Sequence, residues 1–182
     1  MSDSLYPISL KLEGRAVAVV GGGRVGAQKL ASLLSCGARV TVIAPRVVAE
    51  VAERAEQGEI DWIVRPFEPE DLDHVMLAVA ATGDVDVNRE VVAAAHERRL
   101  LVNAVDDPER CDFYLPAVVR RGPLTVSVST AGASPALARD LAREIGGRLP
   151  AALADLTRLF ADARAEIQRR HPDEPAERRR LA

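Results

Sequence analysis

Along the N-terminal part of the chain, short apolar runs alternate with segments whose apolar residues recur at helical spacing. Residues 16–20 are almost wholly apolar, as a strand buried on both faces must be. Residues 27–36 then place their apolar side chains on one helical face until Gly37 stops them. The cycle repeats with a β-branched run at 39–44, a helix at 47–57 ending at Gly58, and a strand at 60–64. After an acidic connection through Pro66 and Pro69 come a strongly apolar strand at 75–81, a helix at 86–99 and a fifth strand at 100–105. This alternation predicts an α/β fold, a parallel sheet with helices on both faces.

After Asp107 the pattern changes. FYLPAVVRRGPLTVSVST contains two β-rich stretches joined by an Arg-Gly-Pro turn, which predicts an antiparallel hairpin. Ser134 and Pro135 give a helix start, a hydroxyl cap followed by proline in the first turn. That helix runs to about 148, Pro150 breaks it, and a second spans about 151–170. The charged tail HPDEPAERRRLA is expected to fray.

Composition narrows the function classes. The net charge of −3 and an aromatic content of 3% argue against a nucleic-acid binder. No apolar run has the length of a bilayer span, and MSDSLYPISLKLEGR lacks a basic segment followed by an apolar one, so the expectation is a cytoplasmic protein without membrane association. Cys36 and Cys111 lie far apart, and His74, His96 and His171 are scattered, so neither a disulfide framework nor a dedicated metal site is indicated. All but two of the 24 basic residues are arginine, the side chain better shaped to grip carboxylates and phosphates.

Gly21, Gly23 and Gly26 form GxGxxG between the first strand and the first helix, the context in which that pattern reads as a dinucleotide-binding turn of Rossmann type. The first glycine permits the turn, the second lets a pyrophosphate approach bare backbone, and the third lets the helix pack on its strand. The acidic residue that commonly holds the ribose hydroxyls at the end of the second strand is missing: Ala44, Pro45 and Arg46 stand there. On the residues alone NADP stays open, with Arg46 near the extra phosphate.

YPISLKLEGR, VVGGGRVGAQK, VTVIAP, the Ala80–Thr82 triplet with Asn88 after it, and NAVDDPERCDFYLPAVVRRGPLTVSVSTAGASPALAR together resemble the precorrin-2 dehydrogenase family. Many of its members are also sirohydrochlorin ferrochelatases in siroheme synthesis. Gly26 stands where alanine is common in the family, and Thr130 where serine often stands. The resemblance implies NAD-dependent oxidation of precorrin-2, a tetrapyrrole, to sirohydrochlorin, Fe²⁺ as a chelation substrate in a second step, and a homodimer. It makes Asp106, in Asn-x-Val-Asp, the catalytic residue, a proton acceptor. Without it, Asp106 reads equally well as a turn cap before Pro108; Asp107 reads as a turn residue.

The candidate cofactor-binding residues are Gly21, Gly23, Arg24, Val25, Gly26, Pro45, Arg46 and Thr82, and the candidate substrate-binding residues are Asn103, Arg120, Arg121, Thr130, Ser134 and Arg139, with Arg143 beside them. The expected organisation is an NAD-binding domain over 1–112, a dimerisation and substrate-pocket region over 113–149, and a helical region over 150–182. The hairpin's apolar face is too small to cover itself, which points to a second subunit. A rival reading is an NAD-sensing module without chemistry, and Asp106 within its long block is the feature that such a module has no reason to carry.

Overall fold

The computed structural model describes residues 5–172, so most of the tail expected to fray lies outside the described residues. The chain divides into two compact units, 5–114 and 115–172 among the described residues.

In the first unit, five parallel strands, β1 (Ala16–Gly22), β2 (Arg39–Val47), β3 (Asp61–Ile63), β4 (Leu77–Ala80) and β5 (Leu101–Ala104), lie in the order β3-β2-β1-β4-β5. The helices between them are α1 (Arg24–Leu34), α2 (Ala49–Glu56) and α3 (Val85–Glu97). The expected parallel α/β sheet is therefore present. Because side chains alternate along a strand, β1 feeds two cores. Val17 and Val19 pack with Leu30 and Leu33 of α1 and Val51 of α2, while Ala18 and Val20 pack with Val91, Val92 and Ala95 of α3. Leu30, Ile43, Leu72 and Leu77 are almost fully buried, each contributing roughly 1.5–3 kcal/mol of apolar transfer.

β2 runs past Ala44 to Val47, longer than its apolar run, because the β1–β2 register shifts and Val47 pairs with Gly22. Pro45 lies within that shift, where its missing N–H interrupts no ladder pairing. Trp62 Nε1 donates to the Ala44 carbonyl at 2.9 Å and pins this end of the strand. Between β3 and β4, Arg65 grips Asp71 through two hydrogen bonds of 2.8 and 2.6 Å, closing the segment that carries Pro66 and Phe67. Burial pushes the Asp71 carboxyl up, but Arg65 and the Glu68 N–H outweigh it and hold it below the ordinary carboxylate range.

In the second unit, β6 (Ala117–Arg121) and β7 (Leu124–Val128) form the expected antiparallel hairpin around Gly122 and Pro123. α4 (Pro135–Arg148) and α5 (Leu153–Arg170) follow. α4 of the same chain packs on the hairpin, and no residue of either hairpin strand is fully buried. Gly146 makes this approach possible, since a Cβ there would lie only 3.3 Å from Val119 Cγ1.

Candidate functional site

The glycine turn is built by exclusion. Gly21 has φ +108°, in the region open to glycine, and a Cβ there would collide with the Ala81 carbonyl oxygen. A Cβ on Gly26 would meet the Gly21 carbonyl oxygen, so the bare backbone sets the approach of α1 to β1. Gly23 is different, because a Cβ there would have nothing within 4 Å. Its glycine is thus not required by the protein's own packing.

Gly23 is also the N-cap of α1. No side chain caps that end, and its first turn holds no acidic residue. The N–H groups and positive dipole end of the helix are left for an outside acceptor. Arg24 and Val25 are exposed on this turn.

Beside it lies a pocket of about 410 Å³, lined by Gly21–Gly23, Ala44–Arg46, Pro66, Phe67, Thr82–Asp84, Val87 and Glu90. It joins the carboxyl ends of β1, β2 and β4, where open α/β sheets bind ligands. Of the eight candidate cofactor residues, Gly21, Gly23, Pro45, Arg46 and Thr82 line it, and Arg24 follows Gly23. The pocket's apolar walls, its bare backbone and the uncapped helix suit an adenine dinucleotide.

Thr82 is held by Asn88, a polar side chain buried on α3. Thr82 N–H donates to Asn88 Oδ1 at 3.1 Å, Asn88 Nδ2 donates to the Thr82 carbonyl at 3.2 Å, and the Thr82 hydroxyl lies 2.7 Å from Asn88 Oδ1. The sequence counts Asn88 toward the family resemblance but not among the candidate site residues, though a polar residue on the buried face of a helix was its signal. It equally passes over Phe67 and Glu90, because no periodicity relates them to the glycine turn.

Asp106 follows β5 with φ +61° and an exposed side chain. Asp107 is turned into its own loop, where it pairs with Arg110 at 2.5 Å. Lys29, half-buried on α1, has its pKa lowered by burial, against the opposing pull of the Asp106 carboxylate. Asn103 is buried and its Nδ2 donates to the Phe113 carbonyl at 2.8 Å, which makes it a tie for the returning chain.

In the second unit, Arg120, Arg121, Arg139 and Arg143 line one open groove of about 720 Å³ together with Val118 and Gly146. Arg121 is committed within it: its guanidinium donates to the carbonyls of Gly146 at 2.7 Å, Leu149 at 3.3 Å and Arg120 at 3.1 Å, closing the end of α4. Arg143 pairs with Asp140 at 2.8 Å on the exposed side of α4, and Arg139 is exposed. Thr130 Oγ1 accepts from the Ser134 N–H at 3.0 Å, and Ser134 Oγ from the Leu137 N–H at 3.3 Å, so both hydroxyls serve the start of α4. Leu137 and Leu141 on α4 and Leu156, Leu159 and Phe160 on α5 are exposed, and α5 buries no residue.

Among the described residues, no helix is long and apolar enough to cross a membrane.

A family described as "Putative NAD(P)-binding" matches residues 8–117, and one described as "Sirohaem biosynthesis protein central" matches 121–147. The siroheme synthase of Photorhabdus laumondii is 38% identical over 164 residues, 90% of this chain and 35% of that protein. Siroheme synthase 1 of Yersinia enterocolitica is 41% identical over 175 residues, 96% of this chain and 37% of that protein. The chain therefore spans little more than a third of these curated relatives. Among solved structures, SirC, a precorrin-2 dehydrogenase, is similar with a TM-score of 0.74 and 31% identity, covering 91% of this chain and 81% of that one.

Proposed function

The chain belongs to the NAD(P)-binding family that includes siroheme synthases and precorrin-2 dehydrogenase, and from that membership we propose that it oxidises precorrin-2 to sirohydrochlorin with NAD, in the cytoplasm. The observation that carries the reading is that the likeness to SirC extends over 91% of the chain, beyond the dinucleotide-binding part that unrelated dehydrogenases share.

Bound NAD supplies the hydride acceptor. The backbone at Gly21 and Gly23 and the N-terminal N–H groups of α1 hold its pyrophosphate. Pro45, Phe67 and Val87 offer apolar walls to its adenosine, and the Thr82–Asn88 interlock keeps the β4 shelf rigid. The oxidation also releases a proton, which Asp106 accepts from the macrocycle and passes to solvent. Arg120, Arg139 and Arg143 hold substrate carboxylates by charge and fork geometry. Arg121 shapes that groove through its helix-closing bonds.

NAD is expected to be preferred over NADP despite Arg46, because Asp84 and Glu90 line the same pocket and oppose a further phosphate. Comparing kcat/KM for the two cofactors checks this, and a clear preference for NADP contradicts it.

The segment after residue 112 builds a homodimer. An 18-residue helix with no buried residue lacks the packing that normally stabilises a helix, and a second copy supplies it through Leu156, Leu159 and Phe160. Sedimentation equilibrium is expected to give twice the chain mass, and Phe160→Glu to shift the population to monomer. A wild-type monomer at working concentration contradicts this.

The second proposed activity is Fe²⁺ insertion into sirohydrochlorin, supported by relatives whose names describe siroheme synthesis. Precorrin-2 and NAD, followed by Fe²⁺, give an absorption spectrum that separates the steps. Sirohydrochlorin that persists after the iron addition leaves a dehydrogenase without chelatase activity.

A further inference from the structure

The turn that carries Asp106 is closed by one long backbone bond, from the Asp107 N–H to the Ala104 carbonyl at 3.4 Å, and by a thiol. β5 is an outer strand of its sheet, and the chain returning from the turn covers its free edge. At Val102 this cover uses Asp112 alone: the Asp112 N–H donates to the Val102 carbonyl at 2.9 Å, and Asp112 Oδ2 accepts from the Val102 N–H at 2.9 Å. One pairing nearer the turn, the partner is a side chain. Cys111 Sγ accepts from the Ala104 N–H at 3.2 Å and lies 3.1 Å from the Ala104 carbonyl oxygen, matching the strand as a peptide unit would.

The same sulfur lies 3.3 Å from the carbonyl oxygen of Asp107, the residue next to Asp106, and accepts from Asn103 Nδ2 at 3.5 Å. Its single proton serves the two carbonyls in turn. Burial, joined by the charges of Asp107 and Asp112, pushes the Cys111 thiol up, against the Ala104 N–H and Lys29, and keeps that proton in place. Both ends of the Ala104–Asp107 turn thus meet at one sulfur, and Asp106 projects from between them with its left-handed backbone.

We propose that Cys111 is a positioning residue for Asp106: by bridging Ala104 and the Asp107 carbonyl it fixes the turn and so the direction of the carboxylate, and it takes no part in the chemistry itself. The inference rests on the assignment of Asp106 as proton acceptor. A reacting group displaced by about 1 Å can cost on the order of 10²-fold in rate. Cys111→Ala is therefore expected to lower kcat for precorrin-2 oxidation by about 10- to 10²-fold with the KM for NAD unchanged, and Cys111→Ser, which keeps a donor and an acceptor, to recover most of the loss.

Hydrogen exchange supplies the readout that does not depend on turnover. In Cys111→Ala the amides of Asp107 and Arg110 should exchange faster, those of β1 and β4 should not, and Cys111→Ser should restore protection. Unchanged exchange in the turn overturns the proposal whatever the activity. Unchanged kcat in Cys111→Ala, with wild type active, also overturns it, as does a fall in kcat matched by faster exchange throughout the first unit, which marks a general loss of stability. If wild type itself fails to oxidise precorrin-2 while exchange responds as expected, the functional reading falls and the thiol's hold on the turn stands.

Discussion

Asp106→Asn is expected to lower precorrin-2 turnover by about 10²- to 10⁴-fold, the range typical of a lost general base, while NAD binds as before. The substitution suits the site because asparagine accepts a left-handed backbone as readily as aspartate, and Asp106 sits at φ +61° with its side chain exposed. The turn keeps its shape, since its hydrogen bonds run between backbone groups of Ala104, Asp107 and Arg110 and through Cys111 Sγ, and the change removes the proton acceptor alone. Should one group serve both steps, iron insertion into supplied sirohydrochlorin falls as well; loss of oxidation alone assigns the second step to other groups. Near-normal oxidation by a folded Asp106→Asn protein would return Asp106 to a turn role.

Gly23→Asp should weaken NAD binding by about 10²-fold or more, because a carboxylate would face the pyrophosphate where like charges cost several kcal/mol. The rest of the protein should not notice. A Cβ at this position meets nothing within 4 Å, and aspartate is among the favoured N-cap residues for a helix that lacks a side-chain cap. Titration calorimetry with NAD, beside a thermal melt, separates the effects. A stable variant with wild-type NAD affinity would contradict the use of this turn.

Local signals carried much of the fold. Short apolar runs and helical periodicity found the five parallel strands and their helices, and the hydroxyl-proline pair at Ser134 and Pro135 marked the start of α4. The edges of elements were less legible. α1 begins at Arg24, ahead of its apolar periodicity, because its first turn faces outward, with Arg24 and Val25 exposed. β2 continues through Pro45 because a register shift, which no local pattern announces, leaves the proline outside the ladder.

The shape of the glycine turn was legible where the backbone itself demands glycine, as at Gly21 and Gly26. The site was hidden where a side chain answers a distant partner. Arg121 reads as a free cation until the carbonyls of Gly146 and Leu149 are seen to take it. Asn103 reads as a substrate ligand until Phe113 is found on its amide. Thr130 and Ser134 lie close in sequence to what they cap, but a hydroxyl that starts a helix and one that meets a ligand look alike in a one-dimensional pattern.

The proposed reaction of this chain is the removal of a hydride from precorrin-2 and its transfer to NAD. The most direct measurement is anaerobic mixing of the purified protein with precorrin-2 and NAD, following NADH and sirohydrochlorin absorbance together. Both are expected to rise in equal amounts, and neither without the protein. NAD that binds while precorrin-2 persists and no NADH forms would contradict the proposed reaction and favour a cofactor-binding module without chemistry.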